Sequence, residues 1–236
     1  MRRGCLFCRG TDGGFSSVEH IIPESLGNTE LILPAGVVCN DCNNGVCAQL
    51  DHALLNFYPI AMLRTLQGIP TKSGSLPSVH FDNGSVITRA PGDVVIQLDS
   101  RRWDKSTTIR DDGQVQGGFR GQKAFPPSQV AMVHRAIVKV AVELAWLDLG
   151  EDLVLSSAFD REREIVTRGG HHGYLAMLRD HTPRPHISVS YERNFRSSDN
   201  EPGLLIRASF LGFDMFVNTL FSEPHEVSED VQVFSF

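Results

Sequence analysis

The sequence has no excess of positive charge. Its 22 lysines and arginines are outnumbered by 28 aspartates and glutamates, which gives the 236-residue chain a formal net charge of -6. This balance excludes a uniformly basic surface that would coat nucleic acid, so phosphate binding would need a local patch or bound metal ions. The best candidate patch is residues 101–123, where six basic residues accompany three aspartates.

The sequence also lacks a long uninterrupted apolar run. The most apolar stretch, residues 130–149, is interrupted within its length by His134, Arg135, Lys139 and Glu143. Charges at these positions exclude an ordinary membrane span. The first residues lack the apolar segment that a signal peptide needs, so we expect a cytoplasmic location and no membrane partner.

Four of the five cysteines form two Cys-x2-Cys pairs, Cys5 with Cys8 and Cys39 with Cys42. In a reducing compartment this spacing favours metal thiolates over disulfides, and two such pairs complete a tetrahedral zinc site. Zinc binding would add roughly 10 kcal/mol to the folding of a segment that is poor in core residues. The competing interpretation is four buried thiols with accidental spacing. Cys47 is expected to be a core residue of a helix.

A Glu-His pair, Glu19-His20, lies between the two cysteine pairs, and Asn43 follows the second pair directly. The cysteine pairs, the run from Glu19 to Gly27 and the Cys42-Asn43 step together resemble the HNH endonuclease family. The similarity covers about residues 1–55. It implies a ββα-metal finger, a structural zinc, and hydrolysis of DNA phosphodiesters to 5'-phosphate and 3'-hydroxyl ends.

The residue chemistry agrees with this resemblance. His20 is the candidate general base, because a neutral imidazole can accept the proton of an attacking water. Glu19 and Asn43 offer a carboxylate and an amide oxygen, which are hard ligands suited to a catalytic Mg²⁺ or Mn²⁺. In a regular strand Glu19 and His20 point to opposite faces, so they can share a cleft only if the pleat breaks. Without its neighbours, the dipeptide would be read as a surface pair.

The central part of the motif departs from the family pattern. The nearest amide is Asn28, which takes the predicted role of fixing the loop and orienting His20, unless backbone groups do so. If the helix phase differs, Asn40 or Asn44 replaces Asn43 as the amide ligand. His52 is expected to be solvated on the following helix or to contact phosphate.

The pattern predicts an α+β protein. Residues 1–67 are assigned to the HNH nuclease domain with its structural zinc and following helix, and residues 68–236 to an α+β specificity, partner or oligomerisation region. That region is predicted to contain a small antiparallel sheet before residue 127 and a central apolar helix over 128–149, started by prolines and closed by Gly150. A polar helix opening at Ser157 is predicted to expose Arg161, Glu162, Arg163 and Glu164.

Two groups in the second region have competing interpretations. The cluster Arg101-Arg102-Trp103 combines cations with an aromatic ring, as single-strand binding requires, but a solvated strand edge with a core Trp is favoured. Four histidines suggest either a second metal site or, the favoured interpretation, scattered loop residues; these are His171, His172, His181 and His186.

The first functional hypothesis is therefore a metal-dependent HNH endonuclease acting on DNA, with a role in restriction or phage defence as the guess for its biology. Two alternatives stay open: a non-catalytic zinc module that recognises nucleic acid or protein, and an RNA-directed nuclease with the same centre. One ββα site cuts one strand, so double-strand cleavage implies a homodimer. An activating partner or signal is a further option.

Overall fold

The computed structural model describes most of the chain, and the chain forms two compact units. The first unit combines residues 1–57 with residues 126–236, and the second is Tyr58–Phe125. The described residues are 4–82, 84–90, 93–97, 108–109, 111, 115–116, 125–169, 174–179, 188–194, 203–211, 213–219 and 231–235. The predicted boundary at residue 67 falls inside the second unit.

The N-terminal part of the first unit consists of a short antiparallel strand pair and a helix. Strands β1 (Glu19–His20) and β2 (Ile32–Leu33) pair with Glu19 opposite Leu33. A 3₁₀ turn follows β1 at Glu24–Leu26. The helix begins as α1 (Asn40–Cys42), widens into a π-helical turn over Asn43–Cys47, and continues as α2 (Ala48–Asn56). This order, strand, strand, helix, is the predicted ββα arrangement.

The second unit contains a helix and short antiparallel strands. Its elements are α3 (Tyr58–Gln67), β3 (Val79–His80), β4 (Val86–Ala90), β5 (Asp93–Gln97), β6 (Thr108–Ile109) and β7 (Val115–Gln116). Strands β3, β4 and β5 form one sheet in that order, and β6 pairs with β7. Val79, Phe81 and Ile87 form its small buried core, against which Tyr58 and Met62 of α3 pack. The antiparallel sheet predicted for this region is therefore present.

The remainder of the first unit is a long helix on a five-stranded antiparallel sheet. The helices are α4 (Pro127–Leu149), α5 (Glu151–Val154) and α6 (Asp160–Arg168), with a 3₁₀ turn at Ser157–Phe159. The strands are β8 (Tyr174–Arg179), β9 (Ser188–Asn194), β10 (Gly203–Phe210), β11 (Phe213–Asn218) and β12 (Val231–Ser235), in the spatial order β12-β8-β11-β10-β9.

Helix α4 is the centre of this unit. It packs against α2 and α6 and against the strands of the five-stranded sheet. Val133, Ile137, Val138 and Ala141 are fully buried along it, and each large apolar side chain buried in this way stabilises the fold by about 1.5–3 kcal/mol. The central helix predicted for 128–149 is therefore confirmed, and so is the α+β class.

Two expectations about polar segments have different outcomes. Glu162 and Arg163 of α6 are buried, contrary to the predicted exposed first turns, because Arg163 donates to the Val154 and Ser156 carbonyls and Glu162 accepts from Thr219. The Arg101-Arg102-Trp103 cluster and the four histidines at 171, 172, 181 and 186 lie outside the described residues.

Within the described part of the chain, no helix combines the length and apolar character needed to cross a membrane.

Candidate active site

The two cysteine pairs meet in space. The sulfur atoms of Cys5, Cys8, Cys39 and Cys42 all lie within 4.8 Å of one another, although more than thirty residues separate the two pairs in sequence. A tetrahedral zinc with Zn–S bonds of about 2.3 Å requires sulfurs about 3.8 Å apart. The Cys8 and Cys39 sulfurs are 3.7 Å apart. The four cysteines therefore fit the structural zinc that the sequence predicts.

Backbone amides converge on these sulfurs, as thiolate ligands require. The Cys39 amide donates to Cys5 Sγ at 3.3 Å, the Cys42 amide to Cys39 Sγ at 3.4 Å, and the Gly10 amide to Cys8 Sγ at 3.4 Å. Gly4 directly precedes the first cysteine pair, and its φ of +100° lies in a region that favours glycine. A Cβ atom at this position would collide with the Arg9 carbonyl oxygen. Cys39 also caps helix α1, so the zinc ligand and the helix start coincide.

The thiols perturb one another strongly. A hydrogen bond with the Cys42 thiol lowers the pKa of Cys5 to about 4, in spite of burial, and the same hydrogen bond raises the pKa of Cys42. Desolvation raises the pKa of Cys39. A divalent cation placed among the four sulfurs would favour all four thiolates at once.

The β1–β2 pair presents Glu19 and His20 on opposite faces. The pair is regular, with Glu19 opposite Leu33 and His20 opposite Ile32, so the break in the pleat that a shared cleft requires is not seen. Glu19 is 4% exposed, whereas His20 is half-buried. The imidazole of His20 is thus on the more open face of the pair.

Asn28 closes the loop between these strands. Its side-chain amide donates to the Ile22 carbonyl at 2.7 Å and to the Leu31 carbonyl at 2.9 Å, and its oxygen accepts from the Glu30 and Leu31 amides. Asn28 is 5% exposed, so these bonds satisfy a buried polar group. This geometry is the one that a loop-fixing asparagine needs.

Three asparagines at the start of the helix have separate partners. Asn43, in the π-helical turn, donates to the Val18 carbonyl at 2.9 Å, which links the helix to the residue preceding Glu19. Asn40 accepts from the amides of Ser16 and Ser17 and holds the approach to β1. Asn44 donates only one turn back, to the Asn40 carbonyl. Of the three, Asn43 contacts the residue that directly precedes strand β1. π-Helical turns are frequent at functional sites.

Glu19 takes part in a buried ion cluster that sequence reasoning missed. Lys139 of α4 is fully buried, and its Nζ lies 2.6 Å from Glu19 Oε1, 3.1 Å from Asp51 Oδ1 and 3.3 Å from Glu143 Oε2. The same Nζ donates to the His20 carbonyl at 3.2 Å. The signal in the sequence that could have revealed it was the i,i+4 pair of Lys139 and Glu143 on a largely apolar helix.

The cluster sets the charge of its members. Burial lowers the pKa of Lys139, but the carboxylates of Glu143, Asp51 and Glu19 outweigh that effect and raise it well above its ordinary value. Burial raises the pKa of Glu143 well above its usual range, against the opposing effect of Lys139, and so favours the neutral carboxyl. A Lys139 ammonium with Glu19 and Asp51 as carboxylates then describes the cluster.

The two remaining residues from the sequence analysis, Cys47 and His52, differ in burial. Cys47 is fully buried, as predicted, and desolvation raises its pKa. Its sulfur lies within 4.8 Å of carboxylate oxygens of Glu19 and Glu143, next to the Lys139 ammonium. His52 is exposed on α2.

The proposed ligands of a catalytic divalent metal face different surroundings. The Asn43 amide lies on an exposed part of the surface, where its oxygen suits Mg²⁺. The Glu19 carboxylate suits it by chemistry, but it is buried and already neutralised by Lys139. The structure therefore does not bring Glu19 and Asn43 together as an open pair of metal ligands.

The comparisons with known proteins address the same segment. No curated protein and no solved structure matches the chain. A family model described as HNH endonuclease matches residues 5–58, which include both cysteine pairs, the β1–β2 pair and the helix through α2. Residues 5–58 are therefore similar to the HNH endonuclease family.

Proposed function

We propose that this protein is a metal-dependent endonuclease that hydrolyses phosphodiester bonds in DNA, with His20 as the general base. The observation that carries the proposal is the hydrogen bond from Asn43 to the Val18 carbonyl, at 2.9 Å, inside a segment that matches the HNH endonucleases. It joins the residue that directly precedes the His20 strand to the helix that carries the candidate amide ligand.

In this proposal His20 removes a proton from a water molecule as that water attacks phosphorus. A half-buried imidazole on the more open face of β1 can reach solvent, and an imidazole nitrogen can accept the proton of an attacking water. The zinc-clamped frame and the Asn28 hydrogen bonds fix the loop, so that His20 keeps one orientation relative to Asn43.

The proposed catalytic cofactor is Mg²⁺ or Mn²⁺, with Asn43 as its candidate protein ligand; Glu19, the second predicted ligand, lies on the face of β1 opposite His20. Such a cation, when bound, stabilises the charge that develops on phosphate and on the leaving oxygen. The exposed position of the Asn43 amide supports its assignment as a ligand. Glu19 would have to share its carboxylate with the Lys139 ammonium, so it is the weaker member of the pair.

One observation favours a second candidate function, a zinc module that binds nucleic acid or protein without cutting it. The Lys139 ion pair commits the Glu19 carboxylate to a structural role, and a recognition module needs no catalytic metal. An RNA-directed nuclease with the same centre is the third candidate.

The test is incubation of the purified full-length protein with supercoiled plasmid in Mg²⁺ or Mn²⁺, beside an EDTA control. Labelled single-stranded and double-stranded RNA are run in parallel. Metal-dependent nicking supports the nuclease proposal, and cleavage of RNA alone transfers it to RNA. Binding without cleavage of either substrate supports the recognition module.

The wider biological proposals follow from the same chemistry. Linearisation at a single site would indicate that two copies act together, because one ββα site cuts one strand. A cytoplasmic role in restriction or phage defence would suit such a nuclease, and phage plating on cells that express the protein or its His20→Ala variant tests it. Cleavage that appears only after addition of cell extract would point to an activating partner.

A further inference from the structure

We propose that Lys139 is a positioning residue for His20, supplied by a helix outside the segment that matches the HNH family. The inference rests on the proposed function, in which His20 is the base. Lys139 lies in α4, 119 residues beyond His20 in sequence, and its Nζ donates directly to the His20 carbonyl at 3.2 Å.

The Lys139 ammonium joins the two arms of the ββα segment. On the strand side it contacts Glu19 Oε1 at 2.6 Å as well as the His20 carbonyl, so it holds two consecutive residues of β1. On the helix side it contacts Asp51 Oδ1 of α2 at 3.1 Å. A single cation therefore fixes the separation of the strand that carries His20 and the helix that follows Asn43.

The contact leaves the His20 side chain available for chemistry. Glu19 and His20 project to opposite faces of β1, and Lys139 engages the Glu19 face together with the main chain. Lys139 therefore contacts the strand on the face opposite the His20 side chain. The imidazole, on the other face, remains half-buried and accessible.

The strand needs such an anchor because its own pairing is short. The β1–β2 ladder contains two residues in each strand, and an isolated two-stranded ribbon is marginally stable in water. Asn28 secures the loop between the strands, whereas Lys139 secures β1 itself. Lys139 is suited to this role because its side chain is fully buried within α4.

The principal variant is Lys139→Met, which keeps an unbranched side chain and removes the charge. Glu143→Gln is the matched control, because it alters the same cluster but changes only a contact that stays within α4, and an amide replaces a carboxyl group that burial favours in its neutral form. Both variants are made in the full-length protein. Backbone hydrogen exchange and steady-state cleavage of plasmid are measured for each, together with zinc content.

The proposal predicts a local change in Lys139→Met. Exchange of the Glu19, His20 and Ile21 amides should accelerate about tenfold or more, while that of Ile206 and Ala208 in β10 stays as in the wild type. Turnover, kcat, should fall about 10- to 100-fold with KM nearly unchanged, because misplacing a base costs rate and leaves binding intact. Zinc content and both readouts of Glu143→Gln should match the wild type.

Unchanged amide exchange in β1 or an unchanged kcat in Lys139→Met would overturn the proposal. An equal acceleration of amide exchange in β1 and β10 would also overturn it. If Lys139→Met does not fold, the double variant Lys139→Met, Glu19→Gln is used, because it removes the buried carboxylate charge as well. Faster amide exchange in β1 of the double variant supports the proposal, and exchange as slow as in the wild type overturns it. If the wild type cuts neither DNA nor RNA, the proposed function fails by itself. Accelerated β1 exchange would then uphold the anchor, and the catalytic purpose assigned to it would be withdrawn.

Discussion

The ammonium of Lys139 and the carboxylate of Glu19 form a fully desolvated ion pair, 2.6 Å apart, between the central helix and the strand that carries His20. Removing one member of a buried pair costs about 3–5 kcal/mol, because the other charge is left without compensation. We expect Lys139→Met to lower the free energy of unfolding by about that amount, measured by urea denaturation. Adding Glu19→Gln to Lys139→Met should restore part of the loss, and no recovery in the double variant would contradict this description of the pair.

The four-cysteine site should bind about one zinc per chain. Cys42→Ser should lose the metal and most of the ordered structure of residues 5–58, since binding of a structural zinc and folding are coupled. Metal analysis and circular dichroism check both effects. Cys47→Ala is the matched control, because Cys47 is buried outside the site and its loss should leave the zinc in place. Full zinc occupancy in Cys42→Ser would rule out the predicted ligand set.

The predictions from sequence succeeded where local pattern determines structure. The spacing of the cysteines predicted their convergence, and the flanking prolines and Gly150 predicted the bounds of the apolar helix. The strand pair and the following helix were expected from the resemblance to the HNH family, which rests on short motifs of neighbouring residues.

The buried ions were missed for a physical reason. Lys139 and Glu143 interrupt an apolar helix, and a charge at such a position is ordinarily expected to reach water. The buried Lys139 ammonium is stabilised by Glu19 and Asp51, which are 120 and 88 positions away from it in sequence. The π-helical turn at Asn43–Cys47 was not predicted either; Asn43 within it donates to the Val18 carbonyl, 25 positions earlier in the sequence.

Asn28 should contribute more to stability than a surface asparagine does. Asn28→Ala leaves the buried Ile22 and Leu31 carbonyls and two amides without their side-chain partner, which costs about 1–3 kcal/mol. Thermal and urea unfolding measure the loss. Asn44→Ala is the control, since Asn44 is exposed and makes one bond within its own helix. Equal effects of the two substitutions would show that Asn28 does not hold the loop.

Arg9 connects the segment of the first cysteine pair to residues 155–160, and we expect this connection to contribute modestly to the free energy of unfolding. Its guanidinium donates to the Leu155 and Ser156 carbonyls at 2.9 and 3.0 Å and lies 2.7 Å from Asp160. Because Arg9 and Asp160 are about half exposed, solvent screens the ion pair, and Arg9→Ala should cost about 1 kcal/mol, chiefly through the two lost hydrogen bonds. Arg168→Ala, which removes an exposed pair with Glu164, should cost less in the same unfolding assay. An equal or larger cost for Arg168→Ala would contradict this ranking.

The most direct test of the account is the rate of plasmid nicking by His20→Ala in Mg²⁺ or Mn²⁺, compared with the wild type and with His80→Ala. His80 is an exposed histidine of β3 in the second unit, so it controls for the loss of an imidazole elsewhere. If His20 is the general base, its removal lowers the rate about 10²- to 10⁴-fold while zinc content and unfolding midpoint are kept. The His80→Ala rate then equals that of the wild type. A His20→Ala variant that nicks as fast as the wild type would contradict the assignment of the active site.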